Sequence, residues 1–282
     1  MPGRAPATAL EGARRLEALR IRGHKGGIIR PHRAMAGIPW TGRRLLTTVA
    51  LTVGGSAGYL ALLPSIARFW QAVFERGRAF LGLHILLGEQ TLDLPGGIRM
   101  TLPEISAVTP IPDSRVLQIT LLASLGALVV SFLLPQRLIP LRYFLRLLAV
   151  IQGTAIFFFW QSAEPFPYRI ADHAFILLTS GLMVMGLVPL VLGLTLHVFD
   201  LALWRKLVLT ALLLGHLVVF VPLNVLVHVW LLLHATAVVM PVLFLVFGLL
   251  ADVFIFVAFY GWALSWRSDL LDREVPPPVH LR

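Results

Sequence analysis

The sequence predicts an all-α polytopic membrane protein with six transmembrane helices and both termini in the cytoplasm. Of the 282 residues, 57% are hydrophobic and only 13% are charged. The mean hydropathy of +0.83 lies far above that of a soluble domain. Several windows also reach the roughly 20 apolar residues that a helix needs to cross a bilayer. The lipid bilayer is therefore the expected environment.

The distribution of positive charge predicts the orientation. Residues 1–44 hold ten Lys and Arg against two Glu, a net charge of +8 out of +10 for the chain. The positive-inside rule assigns such a tail to the cytoplasm, and we expect the inner membrane as the location. The tail, with a predicted helix over 9–22, should attract anionic lipid headgroups. It lacks the interleaved aromatic residues that stack on bases, so nucleic acid is not an expected partner.

The apolar runs define the organisation of the chain. The region 207–251 contains 45 residues without Asp, Glu, Lys or Arg, which is too long for one span and predicts a turn near 231–236. Expected spans cover 45–63, 116–134, 143–160, about 174–198, and two helices within 207–266. The predicted parts are a basic tail (1–44), span 1 (45–64), a periplasmic loop (65–115), spans 2 to 6 (116–266) and a cytoplasmic tail (267–282). In span 1, Gly54 and Gly58 form a GxxxG pair, suited to packing within the chain or to dimerisation.

The periplasmic loop begins with an amphipathic pattern. Trp70, Phe74 and their apolar neighbours follow helical spacing, while Arg68, Gln71 and Glu75 take the other face. We expect this helix to lie flat on the periplasmic membrane surface. The alternative is a continuation of span 1 that packs against neighbouring spans.

A short β-hairpin is predicted after this helix. Residues 91–94 and 98–102 read as strands joined by a Pro-Gly-Gly turn. An isolated hairpin is marginally stable in water, so this one must rest on the helix, on the spans or on a partner protein.

Polar residues inside apolar spans are the first candidates for a site. His216 and Asp252 are expected at similar depth on neighbouring antiparallel helices, where they would form a buried proton relay or ion site. Asn224 is the third buried polar candidate. The alternative is that each of these residues has only a structural role.

A second polar group is expected at the periplasmic ends of the spans. Its imidazoles and carboxylates suit zinc, copper or iron, and the metal candidates are Asp172, His173, His228 and His234, with Glu164 and His84 in nearby loops. The chain has no cysteine and no HxxxH or HExxH motif. Haem ligation by His216 with His228, or by His173 with His197, fits the spacing imperfectly. We therefore expect no cofactor, and interfacial histidines are the alternative.

Three short segments resemble the order of segments in exosortases, which are membrane transpeptidases that use a Cys, an Arg and a His. They are TSGL at 179–182, LWRKL at 203–207 and PLNVL at 222–226. Thr179 stands where the nucleophilic cysteine is required, and no arginine follows Asn224. The resemblance therefore implies at most a catalytically inactive relative.

Three classes of function follow from these patterns. The sequence contains no recognisable catalytic motif. The first expectation is therefore a non-catalytic subunit or accessory factor of a membrane complex, with other membrane proteins as partners. A small proton- or ion-coupled transporter with a polar site between spans 4 and 6 is the second. A metal or haem redox protein or enzyme that uses the periplasmic histidines is the third.

Overall fold

The computed structural model describes residues 42–94, 97–161, 166–196 and 201–265. Within these residues, six helices are long and apolar enough to cross a membrane, which confirms the predicted number. Spans 1 to 6 are Leu45–Leu81, Ser114–Leu133, Gln136–Gln161, Ile170–Thr195, Leu203–Ala235 and Ala237–Ala263. The tail helix at 9–22, Glu164, His197 and the tail 267–282 lie outside the described residues. The side of the membrane that each end faces stays a prediction.

Span 1 is much longer than the sequence predicts. It joins an α-helix, Gly42–Val49, to a π-helical segment, Ala50–Gly54, and a second α-helix, Gly55–Leu81. The expected end near residue 63 and the helix lying flat on the membrane are both wrong. The alternative, a continuation of span 1, is what the structure has.

The aromatic face of this continuation packs against the other spans. Trp70 and Phe74 are fully buried. The indole Nε1 of Trp70 donates a hydrogen bond of 2.8 Å to the carbonyl of Val218 in span 5. One turn after Phe74, Gly77 lies against the side chain of Leu226, also in span 5. Burial against protein, rather than against lipid headgroups, therefore explains the amphipathic pattern.

The hairpin has two nine-residue strands, β1 (Leu86–Leu94) and β2 (Ile98–Ser106). They pair antiparallel from Leu86 opposite Ser106 to Leu94 opposite Ile98, so both are longer than predicted. β2 contacts spans 1 and 4, and its Met100, Leu102 and Ile105 join the main apolar core. The hairpin thus rests on the spans, and this end of the bundle is called the hairpin end below.

Spans 4 and 5 form the centre of the bundle. Each carries a continuous stripe of buried side chains, such as Leu209, Leu213, Leu217 and Val221 in span 5. The two helices approach closely where Gly181 faces Val221, because a Cβ added at Gly181 would lie 2.7 Å from a valine methyl. Gly54 and Gly58 have nothing within 4 Å of an added Cβ, so the GxxxG pair makes no helix contact among the described residues.

Spans 2 and 3 form a helical hairpin beside this centre. Span 2 begins after Asp113, whose carboxylate caps it by accepting a 2.7 Å hydrogen bond from the amide of Val116. Span 3 is tied to the start of span 6 by Gln152, which donates a 2.8 Å hydrogen bond to the carbonyl of Val238. Only 6% of the most apolar 18-residue stretch of span 2 is buried, so this helix presents most of its surface outward.

Span 6 is an irregular helix. It begins after Thr236, a non-glycine residue at φ 66°, where the predicted turn between spans 5 and 6 falls. It then passes through a 3-10 turn, Ala237–Val239, a short α segment, Met240–Val242, and a π-helical segment, Leu243–Leu249, before the regular helix Leu250–Ser265. Gly248 has non-helical angles, φ −89° and ψ −112°, so the helix is interrupted there. Such interruptions recur at functional sites of membrane proteins.

Candidate functional site: a buried histidine pair

Two histidines meet inside the bundle near the hairpin end. His173 lies in the first turn of span 4 and His228 lies two turns before the end of span 5. Their Nε2 and Nδ1 atoms are 3.1 Å apart, and the rings stack at 30° with centroids 5.4 Å apart. The two side chains are only 3% and 1% exposed. They form the histidine pair, in which one ring nitrogen donates and the other accepts.

Local packing explains why the rings meet. The close approach at Gly181 and Val221 sets the register of antiparallel spans 4 and 5. About two turns from that contact, the buried stripe of each helix presents a histidine instead of an apolar residue. The buried faces of spans 4 and 5 pack against each other, and His173 and His228 lie at matching positions on these faces. Their imidazoles therefore contact each other directly.

One nitrogen of the histidine pair makes no hydrogen bond of ordinary geometry within the described residues. It is the buried Nε2 of His228, whose ring lies beside the backbone of Phe247. On the other side of the pair, the ring of Phe244 lies 6.0 Å from that of His173. A buried polar atom without a partner is costly, and native proteins keep such atoms mainly where function requires them.

The interruption of span 6 lies beside this pair. Asn224, one turn before His228, donates a 2.8 Å hydrogen bond to the carbonyl of Phe247. The adjacent Gly248 packs against Leu177 of span 4, because a Cβ there would lie 2.6 Å from a leucine methyl. Asn224 therefore supplies a hydrogen-bond donor to a backbone carbonyl at the break. Inside a membrane, such a carbonyl has no water molecule as an alternative donor.

Asp252 lies deeper in the bundle, one turn beyond Gly248. It is 4% exposed, and its Oδ1 has no hydrogen-bond partner among the described residues. It follows Phe247 by five residues along span 6, across the interruption at Gly248. Among the described residues of spans 4, 5 and 6, the histidine pair and Asp252 are the ionisable groups with a buried polar atom that lacks a hydrogen bond of ordinary geometry.

No family model, curated protein or solved structure matches this chain. The segments that resemble exosortases lie on spans 4 and 5, where Thr179 has a buried hydroxyl without a hydrogen-bond partner in the described structure.

The structure corrects the expected pairing of His216 with Asp252. The His216 side chain is exposed on span 5, where its ring stacks on Phe220 with centroids 5.8 Å apart. It lies level with Phe259, 5.4 Å away, which is seven residues and therefore about 10 Å beyond Asp252 along span 6. The sequence indicates depth from the ends of a helix but not the direction in which a side chain points. His216 is one residue away from the buried stripe, and this rotation turns it outward.

The predicted metal candidates separate into different environments. The Asp172 carboxylate caps span 4 and forms an exposed ion pair with Arg169, with 3.2 Å between the nearest oxygen and Nε. These hydrogen bonds and the charge of Asp172 raise the pKa of the Arg169 guanidinium above its ordinary value. His234 is exposed, and its Nδ1 lies 2.7 Å from the carbonyl of Trp230.

Only two of the four candidates are brought together. His173 and His228 contact each other, whereas Asp172 and His234 are engaged elsewhere. Within the described residues, no group of three or more His, Asp or Glu is arranged to hold a metal ion. The sequence places both histidines at the predicted periplasmic ends of the spans, but it does not predict that they contact each other. Gly181 is the sequence feature that indicates close packing of span 4 against another helix.

Proposed function

We propose that this protein is a small proton-coupled transporter whose proton-binding groups are the histidine pair and Asp252, between spans 4, 5 and 6. The observation that carries the proposal is the contact of His173 with His228 in a buried position beside an interrupted helix. Ionisable residues are expensive inside a membrane, and by default they mark a pathway for ions or protons. Discontinuous helices are the best general indication of a binding site in transporters.

The chemistry of the pair suits proton transfer. Two neutral imidazoles carry two N–H groups among four nitrogens, so the pair can share one hydrogen bond and accept one further proton. A proton that passes from the pair to the Asp252 carboxylate returns the histidines to neutral and neutralises the aspartate. This transfer removes the positive charge from the histidine pair and the negative charge from Asp252. Burial favours the neutral form of each group. In this proposal the break at Gly248 is the element that moves.

Proteoliposomes with an internal pH dye test this proposal. We expect acidification of the lumen after an external acid pulse under a potassium and valinomycin clamp, with panels of inorganic cations and small organic solutes outside. Asp252→Asn and His228→Gln should each reduce the rate at least tenfold. His216→Gln is the matched control, because it removes an exposed histidine from the same span. Equal rates for all three variants, or no flux above empty liposomes with any solute, would falsify the proposal.

A second candidate is the accessory subunit of a membrane complex, which was the first expectation from sequence. The outward surface of span 2 supports it, because only 6% of its most apolar stretch is buried within this chain. Crosslinking in membranes followed by purification in mild detergent tests this candidate. A monodisperse single chain without crosslinked partners would contradict it. The redox alternative remains an expectation, and an absorption spectrum with elemental analysis of a clean preparation tests it.

A further inference from the structure

A cavity of about 430 Å³ opens between span 1 and the β-hairpin. Its apolar wall runs along span 1 and is formed by Leu60, which is 44% exposed, and by the exposed Pro64, with Leu63 buried behind them. Its polar lining includes Arg68, Gln71 and Arg99, with Glu89 the acid among the lining residues. The cavity is therefore amphipathic, and its lining carries a net positive charge.

The two ends of the cavity differ in polarity along span 1. Leu60 and Arg68 are eight residues apart on one helix, a rise of about 12 Å. Leu60 is among the exposed apolar residues of span 1, whereas Arg68 begins the run of charged residues that continues to Arg78. An acyl chain therefore suits the apolar end of the cavity at Leu60, and a polar headgroup suits the end at Arg68.

The guanidinium of Arg68 is already oriented. Its Nε lies 3.4 Å from the carbonyl of Pro64 and its Nη2 lies 3.3 Å from Oγ of Ser65, and Nη1 takes no part in either bond. Arg99 pairs with Asp93 at 3.2 Å, but both side chains are more than 70% exposed. Such an exposed pair contributes little, so a phosphate can replace the carboxylate beside Arg99. Two arginines around one cavity suit the geometry of a phosphate group.

We propose that this cavity binds an anionic phospholipid, with its phosphate between Arg68 and Arg99 and an acyl chain along Leu60 and Pro64. The ligand is a membrane lipid rather than a free anion, because the exposed apolar wall of Leu60 and Pro64 is as much a part of the cavity as its arginines. This site is separate from the histidine pair and does not depend on the proposed transport.

Native mass spectrometry of the full chain in detergent tests the proposal. The probes are dioleoyl phosphatidylglycerol and dioleoyl phosphatidylcholine, each titrated separately. We expect the anionic lipid to bind at least tenfold more tightly. Arg68→Gln and Arg99→Gln should each weaken its binding about fivefold, as expected for the loss of one positive charge at an anionic headgroup. Binding of phosphatidylcholine should not change.

Arg76→Gln is the control, because Arg76 is an exposed arginine on the same helix that does not line the cavity. An equal loss of affinity in this variant overturns the proposal, as does equal binding of the two lipids. Displacement of the anionic lipid by an equal concentration of inorganic phosphate would show a free-anion site instead, and would also overturn it. Arg99 lies on the exposed hairpin, so Arg99→Gln decides the outcome if Arg68→Gln unfolds.

Discussion

The indole of Trp70 hydrogen-bonds to the carbonyl of Val218, which lies four residues before Pro222. A proline has no amide hydrogen, so Pro222 leaves this carbonyl without its helical partner. In a membrane no water replaces that partner, and another donor must be found within the protein. Trp70 supplies the donor from span 1. The contact thus joins two helices at the point where one of them is weakened.

Trp70→Phe should lower the free energy of unfolding by about 1–3 kcal/mol, because it leaves a buried carbonyl without a donor. Thermal unfolding in detergent, followed by circular dichroism, measures the change. Trp204→Phe is the control, since Trp204 is 62% exposed. Pro222→Ala restores the amide that bonds Val218, so the substitution at Trp70 should cost clearly less in that background. An unchanged cost would contradict this explanation of the contact.

Gly181→Ala should destabilise the protein by roughly 1–3 kcal/mol, because its added methyl meets two methyls of Val221 within 2.8 Å. Val221→Ala in the same chain makes room for that methyl, so the double variant should be more stable than the sum of the single effects predicts. The comparison is Gly126→Ala, where an added Cβ has nothing within 4 Å. If the two glycine substitutions have equal effects, close packing at Gly181 is not limiting.

The histidine pair should resist chemical modification in the folded protein. Diethyl pyrocarbonate reacts with accessible imidazoles, and peptide mass spectrometry locates the products. His84 lies outside the spans with an exposed side chain, and it should react readily. His173 and His228 should react only after unfolding in strong detergent, because they are 3% and 1% exposed. Modification of all three at similar rates before unfolding would contradict the buried contact.

Asn224→Leu should loosen span 6 at its interruption. The substitution removes the donor to the Phe247 carbonyl, a loss of roughly 1 kcal/mol that corresponds to about a fivefold increase in local opening. Hydrogen–deuterium exchange of the peptide that covers 243–249 measures this opening. Leu223→Ala, at the exposed neighbouring position, should leave exchange unchanged. Equal exchange in the wild type and in Asn224→Leu would mean that the hydrogen bond does not stabilise the break.

Sequence reasoning and structure differ most clearly at span 1. The spacing of Trp70 and Phe74 correctly predicts a helix with one aromatic face, because helical periodicity is a local property. It does not distinguish a face that rests on lipid headgroups from a face that packs on another helix. Both surfaces select the same residue types. Only the contacts with Val218 and Leu226 show that the face belongs to the bundle.

At the candidate polar site, too, the sequence predicts a local property correctly and a contact between distant segments incorrectly. His173 and His228 lie 55 residues apart, and Asn224 meets Phe247 across 23 residues. Counting along helices predicts their depth, since each residue adds about 1.5 Å of rise. It does not predict rotation about the helix axis. That is why His216 was expected inside and lies outside.

Local patterns along the chain are enough to predict a multi-pass membrane protein with six apolar helices and a β-hairpin, because hydrophobicity and turn chemistry are local properties. Which polar groups meet depends instead on how the helices pack. A close approach at Gly181 sets spans 4 and 5 in register, and this register brings His173 onto His228 while Asp252 stays apart. Helix rotation and packing depend on contacts between distant segments, and no short stretch of sequence contains them.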